Sequence, residues 1–273
     1  MTIEKETNFQ VYPNLKQMWE VFGIFIIINF GLEFIKYVLD HVFKIASFPP
    51  ETGEWLGFLI YFMSMFFTAL YVKNASQSTD FDYGFAIAKS PVQLFLILAV
   101  ISPALIIING SIADIIPMPK FIEESFISMI RPNFPSFLTV VIAAPVMEEL
   151  LCKGIILRGL IHNMSANKAI LWSALFFAIL HMNPWQGIPA FIIGLISGWI
   201  FWKTKSVIPC IFLHLMNNGV GFIFLLLLNN PLMSMSDIFN VYYPHVLVLS
   251  AAILSACLYV IYKICKKPES CNI

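Results

Sequence analysis

Four long stretches of the chain contain no Asp, Glu, Lys or Arg, and this feature constrains the fold more than any other. They cover residues 91–113, 169–202, 206–236 and 238–262. A helix needs about 20 mostly apolar residues to cross the ~30 Å hydrocarbon core of a bilayer. Each stretch is long enough to supply such a helix. The stretch 169–202 is too long for one helix, and the polar, Pro-containing segment 181–189 interrupts it.

The composition points to the same class of protein. Apolar residues make up 59% of the chain and charged residues 12%, whereas soluble domains average about 45–50% and about 25%. So few charges cannot cover the surface of a soluble globule. The formal net charge is zero, which gives no indication of a nucleic-acid partner. We therefore predict an all-α, polytopic membrane helix bundle embedded in the lipid bilayer.

The apolar runs and the Pro, Gly and Asn residues between them divide the chain into about eight transmembrane helices. We expect these helices to form a single integral membrane domain that covers residues 1–273. The predicted spans are 18–38, 55–72, 92–112, 136–160, 169–182, 188–202, 207–229 and 244–264.

The distribution of basic residues predicts the orientation of the bundle. If the N-terminus is cytoplasmic, the cytoplasmic segments hold twelve of the 16 Lys and Arg residues, and the outer segments hold only Lys44, Lys120 and Arg131. Cytoplasmic loops of membrane proteins are enriched in Lys and Arg. This bias predicts an even number of spans with both termini in the cytoplasm. The short loops and the lack of targeting signals are typical of a multi-pass protein of a bacterial cell membrane.

Two neighbouring acids, Glu148 and Glu149, lie inside the predicted fourth span. A charge at the centre of a membrane helix costs about 2.5–3.5 kcal/mol on insertion scales, so such acids usually face a cavity or a partner. Lys153 follows Glu149 by four residues and therefore lies on the same helical face. A membrane-embedded salt bridge is the structural alternative, but it explains only one of the two acids. Pro145 removes a backbone donor just before the pair and is expected to open the helix there.

Two histidines and an asparagine lie in later predicted helices. His181 ends the fifth span, and His214 and Asn218 share one face of the seventh. A single membrane histidine is usually an ordinary hydrogen-bonding group between helices. Together with a Glu pair, however, two histidines and an amide donor suit the activation of water for attack on a carbonyl. We expect Glu148, His181 and His214 to converge on one site, with Asn218 at its rim.

Gly194 and Gly198 form a small-xxx-small pattern in the sixth predicted span. In membrane helices this pattern is typical of close helix packing, so we do not interpret it as a nucleotide-binding loop. Glu33 and Lys36 in the first span are three residues apart and are predicted to form an ion pair near the membrane interface.

These polar residues resemble the motifs of the CPBP family, which groups type II CAAX prenyl endopeptidases with bacterial Abi, bacteriocin-processing and self-immunity proteins. The resemblance rests on four elements in order: Glu148-Glu149-xxx-Lys153-Gly154, Phe177-xxx-His181, the helix with Phe191, Gly194 and Gly198, and His214-xxx-Asn218. It covers a core of residues 137–219. It implies a bundle of about eight helices whose motifs converge on a cavity.

The resemblance also implies roles for the site residues. Glu148 and His181 would activate the hydrolytic water, His214 and Asn218 would stabilise the oxyanion or bind the scissile peptide, and Glu149 would orient its neighbours. One position departs from the family pattern, because Lys153 stands where the family usually has Arg. The charge is kept, but the bidentate geometry of a guanidinium is lost.

The sequence therefore predicts an intramembrane endopeptidase that acts on a peptide or protein substrate within or at the membrane. We favour a metal-free glutamate mechanism without a cofactor, and zinc held by two His and a Glu, as in a metalloendopeptidase, is the alternative. Two other functions compete: a non-catalytic bacteriocin self-immunity protein, and a transporter that relays ions or protons through the buried acids. The identity of the substrate does not follow from the sequence.

Overall fold

The computed structural model describes residues 11–43, 50–76, 86–129, 133–228 and 233–265. These residues form helices joined by short connections, and the described ranges contain no β-strand. The predicted all-α class is therefore confirmed. The helices are α1 Leu15–Phe43, α2 Pro50–Ser76, α3 Val92–Ala113, α4 Lys120–Met129, α5 over 134–163, α6 Ala166–Leu180, α7 Pro184–Thr204, α8 Ile208–Leu227, α9 Met235–Phe239 and α10 Tyr243–Ile264.

Six helical segments in the described part of the chain are long and apolar enough to cross a membrane. They are α1, α2, α3, α7, α8 and the segment Met235–Ile264, which joins α9 and α10 through one 3-10 turn. The predicted count of eight depends on α5 and α6. At ~1.5 Å per residue, the 15 residues of α6 fall short of a ~30 Å hydrocarbon core. The structure therefore supports a multi-pass protein, and the count of eight stays a prediction.

Several predicted boundaries are wrong. α7 begins at Pro184 rather than at residue 188, because Asn183 caps its first turn by accepting a hydrogen bond from the backbone N–H of Gln186 at 2.9 Å. Proline is well suited to the first turn of a helix, where its missing N–H has no partner to lose. α6 ends at Leu180, and the residue after next, Met182, adopts a left-handed conformation with φ of 54°.

The surface of the bundle is apolar, whereas most of its polar side chains at membrane depth are internal. Phe30, Phe34, Leu96 and Val248 are each more than 60% exposed. By contrast, the buried polar and charged group includes Ser64, Thr68, Asn109, Glu148, Glu149, Lys153, Ser173 and His214. Because a soluble protein rarely exposes large contiguous apolar patches, this distribution is that of a protein surrounded by lipid.

α5 carries the predicted acids and is not a regular α-helix. Its α-helical segment Ala144–Glu149 lies between two π-helical segments, Leu138–Ala143 and Leu150–Leu157. The N–H of Ala144 donates to the carbonyl of Thr139, five residues earlier. In that register the next donor would be Pro145, which has no N–H. The carbonyl of Val140 is therefore left without this backbone partner.

The side chain of Asn218 occupies the resulting gap. Its Nδ2 donates to the carbonyl oxygen of Val140 at 2.9 Å, so a residue of α8 satisfies the backbone of α5. Backbone carbonyls in a bilayer must find partners inside the protein. The contact thus fixes α8 against α5 about two turns before the acids.

α6 and α7 pack closely against each other. A Cβ added at Gly194 would lie 3.1 Å from the Cβ of Ala174, and one added at Gly198 would lie 3.2 Å from Cγ2 of Ile170. The prediction of close packing by this glycine pair is confirmed. The predicted pair of Glu33 and Lys36 also forms, with 3.8 Å between Oε2 and Nζ.

Candidate active site

Glu149 is fully buried and has cationic or ionisable groups on both sides. Its Oε2 lies 3.5 Å from Nζ of Lys153, and its Oε1 lies 3.3 Å from Nδ1 of His214. Lys153 is itself fully buried, and its ammonium lies 4.6 Å from the centre of the Phe177 ring. The salt bridge that was considered as the structural alternative therefore forms on α5, and it accounts for Glu149 alone.

Glu148 contacts a different set of groups. The hydroxyl of Tyr61, on α2, donates to Oε1 of Glu148 at 2.8 Å. The second oxygen, Oε2, lies 3.9 Å from Nε2 of His214. That separation is too long for a direct hydrogen bond. One oxygen of Glu148 is therefore occupied, and the other faces a histidine across a gap.

His214 links the two acids. Its Nδ1 faces Glu149 and its Nε2 faces Glu148, so the imidazole ring lies between the carboxylates. The ring also packs against the edge of Phe177, with 5.5 Å between ring centres. α8 thus brings an imidazole to the point on α5 where the sequence places adjacent acids.

His181 lies next to this cluster but does not touch the acids. Its Nδ1 is 2.9 Å from the carbonyl oxygen of Phe177, and its ring lies 5.1 Å from the Phe177 ring centre. Because a carbonyl only accepts, Nδ1 must carry the proton, and a neutral ring then keeps Nε2 as an acceptor. Within the described residues, His181 forms no ion pair with Glu148 or Glu149. Phe177 contacts both histidines and connects them.

The predicted site residues therefore converge only in part. His214 lies 3.9 Å from Glu148 and 3.3 Å from Glu149 through the atoms given above. Asn218 points its amide nitrogen at Val140, and its Oδ1 accepts from Nδ2 of Asn217 at 3.3 Å. It thus supports the backbone of α5 and does not contact the acids. His181 and Asn218 are adjacent to the cluster without being part of it.

Several buried atoms in the cluster lack hydrogen-bond geometry. Both carboxylate oxygens of Glu149, Nζ of Lys153 and Nδ1 of His214 are buried and have no hydrogen-bond partner in the described structure. Native proteins leave few such groups, and each one calls for an explanation. Charge attraction at 3.3–3.5 Å holds these groups together, and this concentration of ionisable side chains in an apolar bundle is typical of a functional site.

The arrangement does not fit the alternative of a bound zinc ion. No three His, Cys, Asp or Glu side chains in the described ranges are placed to hold one metal. The carboxylates of Glu148 and Glu149 face opposite nitrogens of His214, whereas a catalytic zinc needs three ligands directed at one point. The residues present therefore support a mechanism without a metal.

Tyr61 was not among the residues predicted from the sequence. Its hydroxyl stands in an otherwise apolar segment of α2, and a buried tyrosine usually finds a partner for its O–H. The requirement for a hydrogen-bond partner was the feature of the sequence that could have drawn attention to Tyr61. The partner itself was not predictable, because Tyr61 and Glu148 are separated by 87 positions.

The fold and the site together define an all-helical membrane protein with a buried cluster of carboxylates and imidazoles. Comparison with known families identifies the cluster further. The family described as "Type II CAAX prenyl endopeptidase Rce1-like" matches residues 130–220, about a third of the chain, and this region contains α5 to α8 almost completely. This region of the chain is therefore similar to that family of endopeptidases, in agreement with the resemblance of its motifs. Neither a curated protein nor a solved structure matches the chain.

Proposed function

We propose that the protein is an intramembrane endopeptidase that hydrolyses a peptide bond of a membrane-associated substrate with water activated by Glu148. The proposal rests on one observation above all: a carboxylate with one unoccupied oxygen faces an imidazole inside an apolar bundle. The match of this region to type II CAAX prenyl endopeptidases supports peptide hydrolysis as the reaction.

Glu148 is the general base. It is 9% exposed, whereas Glu149 is fully buried between Lys153 and His214. A water molecule that bridges Oε2 of Glu148 and the scissile carbonyl gives its proton to Glu148 as its oxygen attacks the carbonyl carbon. The tetrahedral intermediate then collapses. Its C–N bond breaks, and the proton passes from Glu148 to the departing amine.

The neighbouring residues orient the reaction. The carboxylate of Glu149, 3.3 Å from Nδ1, fixes the ring of His214 by charge attraction. Nε2 is then directed towards the site of attack, where an N–H at this position donates to the oxyanion. His181, whose Nε2 is left as an acceptor, helps to hold the water. Asn218 keeps α8 and α5 in register through Val140 and offers its amide to the substrate when that contact opens.

The substitution Glu148→Gln tests the base. Gln keeps the shape and the hydrogen bond from Tyr61 but cannot take a proton, so peptide hydrolysis should fall by at least ~10²-fold. The assay uses purified full-length protein in detergent and a library of fluorescence-quenched apolar peptides. Glu20→Gln, in the exposed pair of Lys16 and Glu20, is the matched control and should cleave as fast as the unmodified protein.

The same preparation distinguishes the competing explanations. Hydrolysis by Glu148→Gln at the unmodified rate would refute Glu148 as the base. Zinc bound in stoichiometric amount, with hydrolysis lost to a chelator and restored by metal, would replace the metal-free mechanism by a metal-dependent one. If no peptide in the library is cut by the unmodified protein, the endopeptidase proposal fails in favour of a non-catalytic function.

A further inference from the structure

The contact between Tyr61 and Glu148 joins the acid to a part of the chain outside the family match. Tyr61 lies on α2 (Pro50–Ser76), whereas the matched region begins at residue 130. Its neighbours on the same helix face are buried: Ser64, Met65, Thr68 and Val72 are each at most 4% exposed. They lie three, four, seven and eleven residues after Tyr61, which is the spacing of one helical face. The phenol is thus at the inward face of α2.

α2 packs directly against α5 at this level. It contacts the α-helical segment Ala144–Glu149 and the π-helical segment before it. At the start of α5, Nδ2 of Asn133 donates to a carboxylate oxygen of Glu54, which ties the first turns of the two helices together. The position of the Tyr61 hydroxyl relative to Glu148 is therefore set by helix packing rather than by a mobile side chain in a loop.

The hydrogen bond from Tyr61 gives the two oxygens of Glu148 different surroundings. Oε1 accepts from Tyr61 at 2.8 Å, and Oε2 faces Nε2 of His214 at 3.9 Å. A carboxylate held at one oxygen by a donor loses rotation about its last side-chain bond. The second oxygen then has a fixed direction, and its lone pairs are left for water.

We infer that Tyr61 is a positioning residue that selects Oε2 of Glu148 as the proton-accepting oxygen of the hydrolase. The inference rests on the proposed function and extends it to a helix that carries none of the family motifs. Without the phenolic O–H, the plane of the carboxylate can rotate about the last side-chain bond, and the productive orientation becomes one of several. The cost falls on the chemical step rather than on substrate binding, because Tyr61 acts through Glu148 and does not itself contact the reacting bond.

The substitution Tyr61→Phe removes the hydroxyl and leaves the ring in place. Hydrogen bonds to charged groups contribute about 1.5–3 kcal/mol, so kcat should fall by about 10-fold or more, with KM changed by less than about twofold. Tyr71→Phe, on the same helix but exposed to 37%, is the matched control and should leave both constants unchanged. The double variant Tyr61→Phe/Glu148→Gln should be no slower than Glu148→Gln alone, because the two residues act as one unit.

A second measurement tests the contact between Tyr61 and Glu148 independently of enzymatic activity. 3-Fluorotyrosine placed at position 61 of the full-length protein reports the environment of the phenol by ¹⁹F NMR. Its resonance should move in the Glu148→Gln variant, where a neutral amide replaces the charged acceptor, and should stay in place in the Glu20→Gln variant. A resonance that does not move in the Glu148→Gln variant would overturn the inference, because it would show that the contact is absent.

The outcomes for the inference and for the proposed function differ. If Tyr61→Phe keeps the unmodified kcat while Glu148→Gln loses hydrolysis, the inference is wrong and the proposed function stands. A kcat and KM that change together in Tyr61→Phe would also overturn the inference, since they indicate a general packing defect. If Glu148→Gln cleaves at the unmodified rate, the proposed function fails, and the role of Tyr61 fails with it even where the fluorine resonance shows the contact.

Discussion

Glu148 and Glu149 are neighbours in the sequence, yet their surroundings give them different tasks. Glu149 is fully buried between an ammonium and an imidazole, which suits a carboxylate that stays ionised and orients its partners. Glu148 retains 9% exposure, and its polar contacts in the described residues are a phenol and a distant imidazole nitrogen. Consecutive residues on a helix point about 100° apart, so adjacent acids reach different neighbours.

The substitution Lys153→Met is expected to destabilise the protein strongly. It keeps most of the side-chain volume but leaves the buried carboxylate of Glu149 without its cation. Removing one partner of a buried ion pair typically costs about 3–5 kcal/mol. We therefore expect a clear drop in the midpoint of thermal unfolding in detergent, together with lost hydrolysis.

The matched control is Lys16→Met, since Lys16 also pairs with a Glu four residues away but its side chain is 86% exposed. Exposed pairs contribute little to stability, so this variant should have the same midpoint of thermal unfolding as the unmodified protein. Equal midpoints for the two variants would show that the pair of Lys153 and Glu149 contributes nothing to the fold. Lys153→Arg should retain the fold, because it keeps a positive charge beside Glu149.

The sequence predicted the local relations of these residues better than the distant ones. The four-residue spacing of Glu149 and Lys153 on one helix was enough to place them on one face and to indicate a salt bridge as the structural alternative. The approach of His214 to Glu148 was expected because their residue types suit one reaction and because the motifs resemble a family, and not from any local spacing. The donor from Tyr61 was not expected at all, because no local pattern indicates which of many buried groups a phenol meets after folding.

At the scale of elements, the irregular helix α5 determines where the acids lie. Its two π-helical segments shift the register before and after Glu148 and Glu149, and π-turns occur often at functional sites. Pro145 predicted an opened helix near the acids. The regular period of 3.6 residues cannot, however, predict where backbone hydrogen bonds between residues five apart replace those between residues four apart. The hydrogen bond from Asn218 to the carbonyl of Val140 also depends on how α8 packs against α5.

The closely packed pair of α6 and α7 provides a test at this scale. In Gly194→Val the added Cβ would meet Cα and Cβ of Ala174 at 3.1 Å and Cδ1 of Phe177 at 3.3 Å. Overpacking of this kind typically costs about 1–3 kcal/mol. We expect a lower midpoint of thermal unfolding and reduced hydrolysis, because Phe177 contacts both His181 and His214.

Gly57→Val is the matched control on α2, where an added Cβ meets nothing within 4 Å. It carries the same change in helix propensity, so any difference between the variants reports packing. A Gly194→Val protein that unfolds and cleaves like the Gly57→Val protein would contradict the close approach of α6 and α7 at this glycine.

At the scale of the whole molecule, the absence of charge in long stretches was sufficient to predict the fold class. It was not sufficient to count the spans. α6 is only 15 residues long, and α5 is interrupted by its π-helical segments, so neither meets simple criteria of length and hydropathy. Such short or irregular helices are tolerated at membrane depth when other protein segments surround them, and a single sequence does not show that surrounding.

Orientation in the membrane follows from the basic residues and decides from which side a substrate reaches the site. Reporter fusions after Lys267 and within residues 203–206 should both report a cytoplasmic location, because Lys and Arg concentrate in those segments. A fusion near Arg131 should report an external location. In the eight-span arrangement with a cytoplasmic N-terminus, Arg131 follows the third span and is therefore external, and the C-terminus follows the eighth span and is cytoplasmic. A cytoplasmic signal at Arg131 would therefore refute that arrangement, and an external signal after Lys267 would refute the cytoplasmic C-terminus.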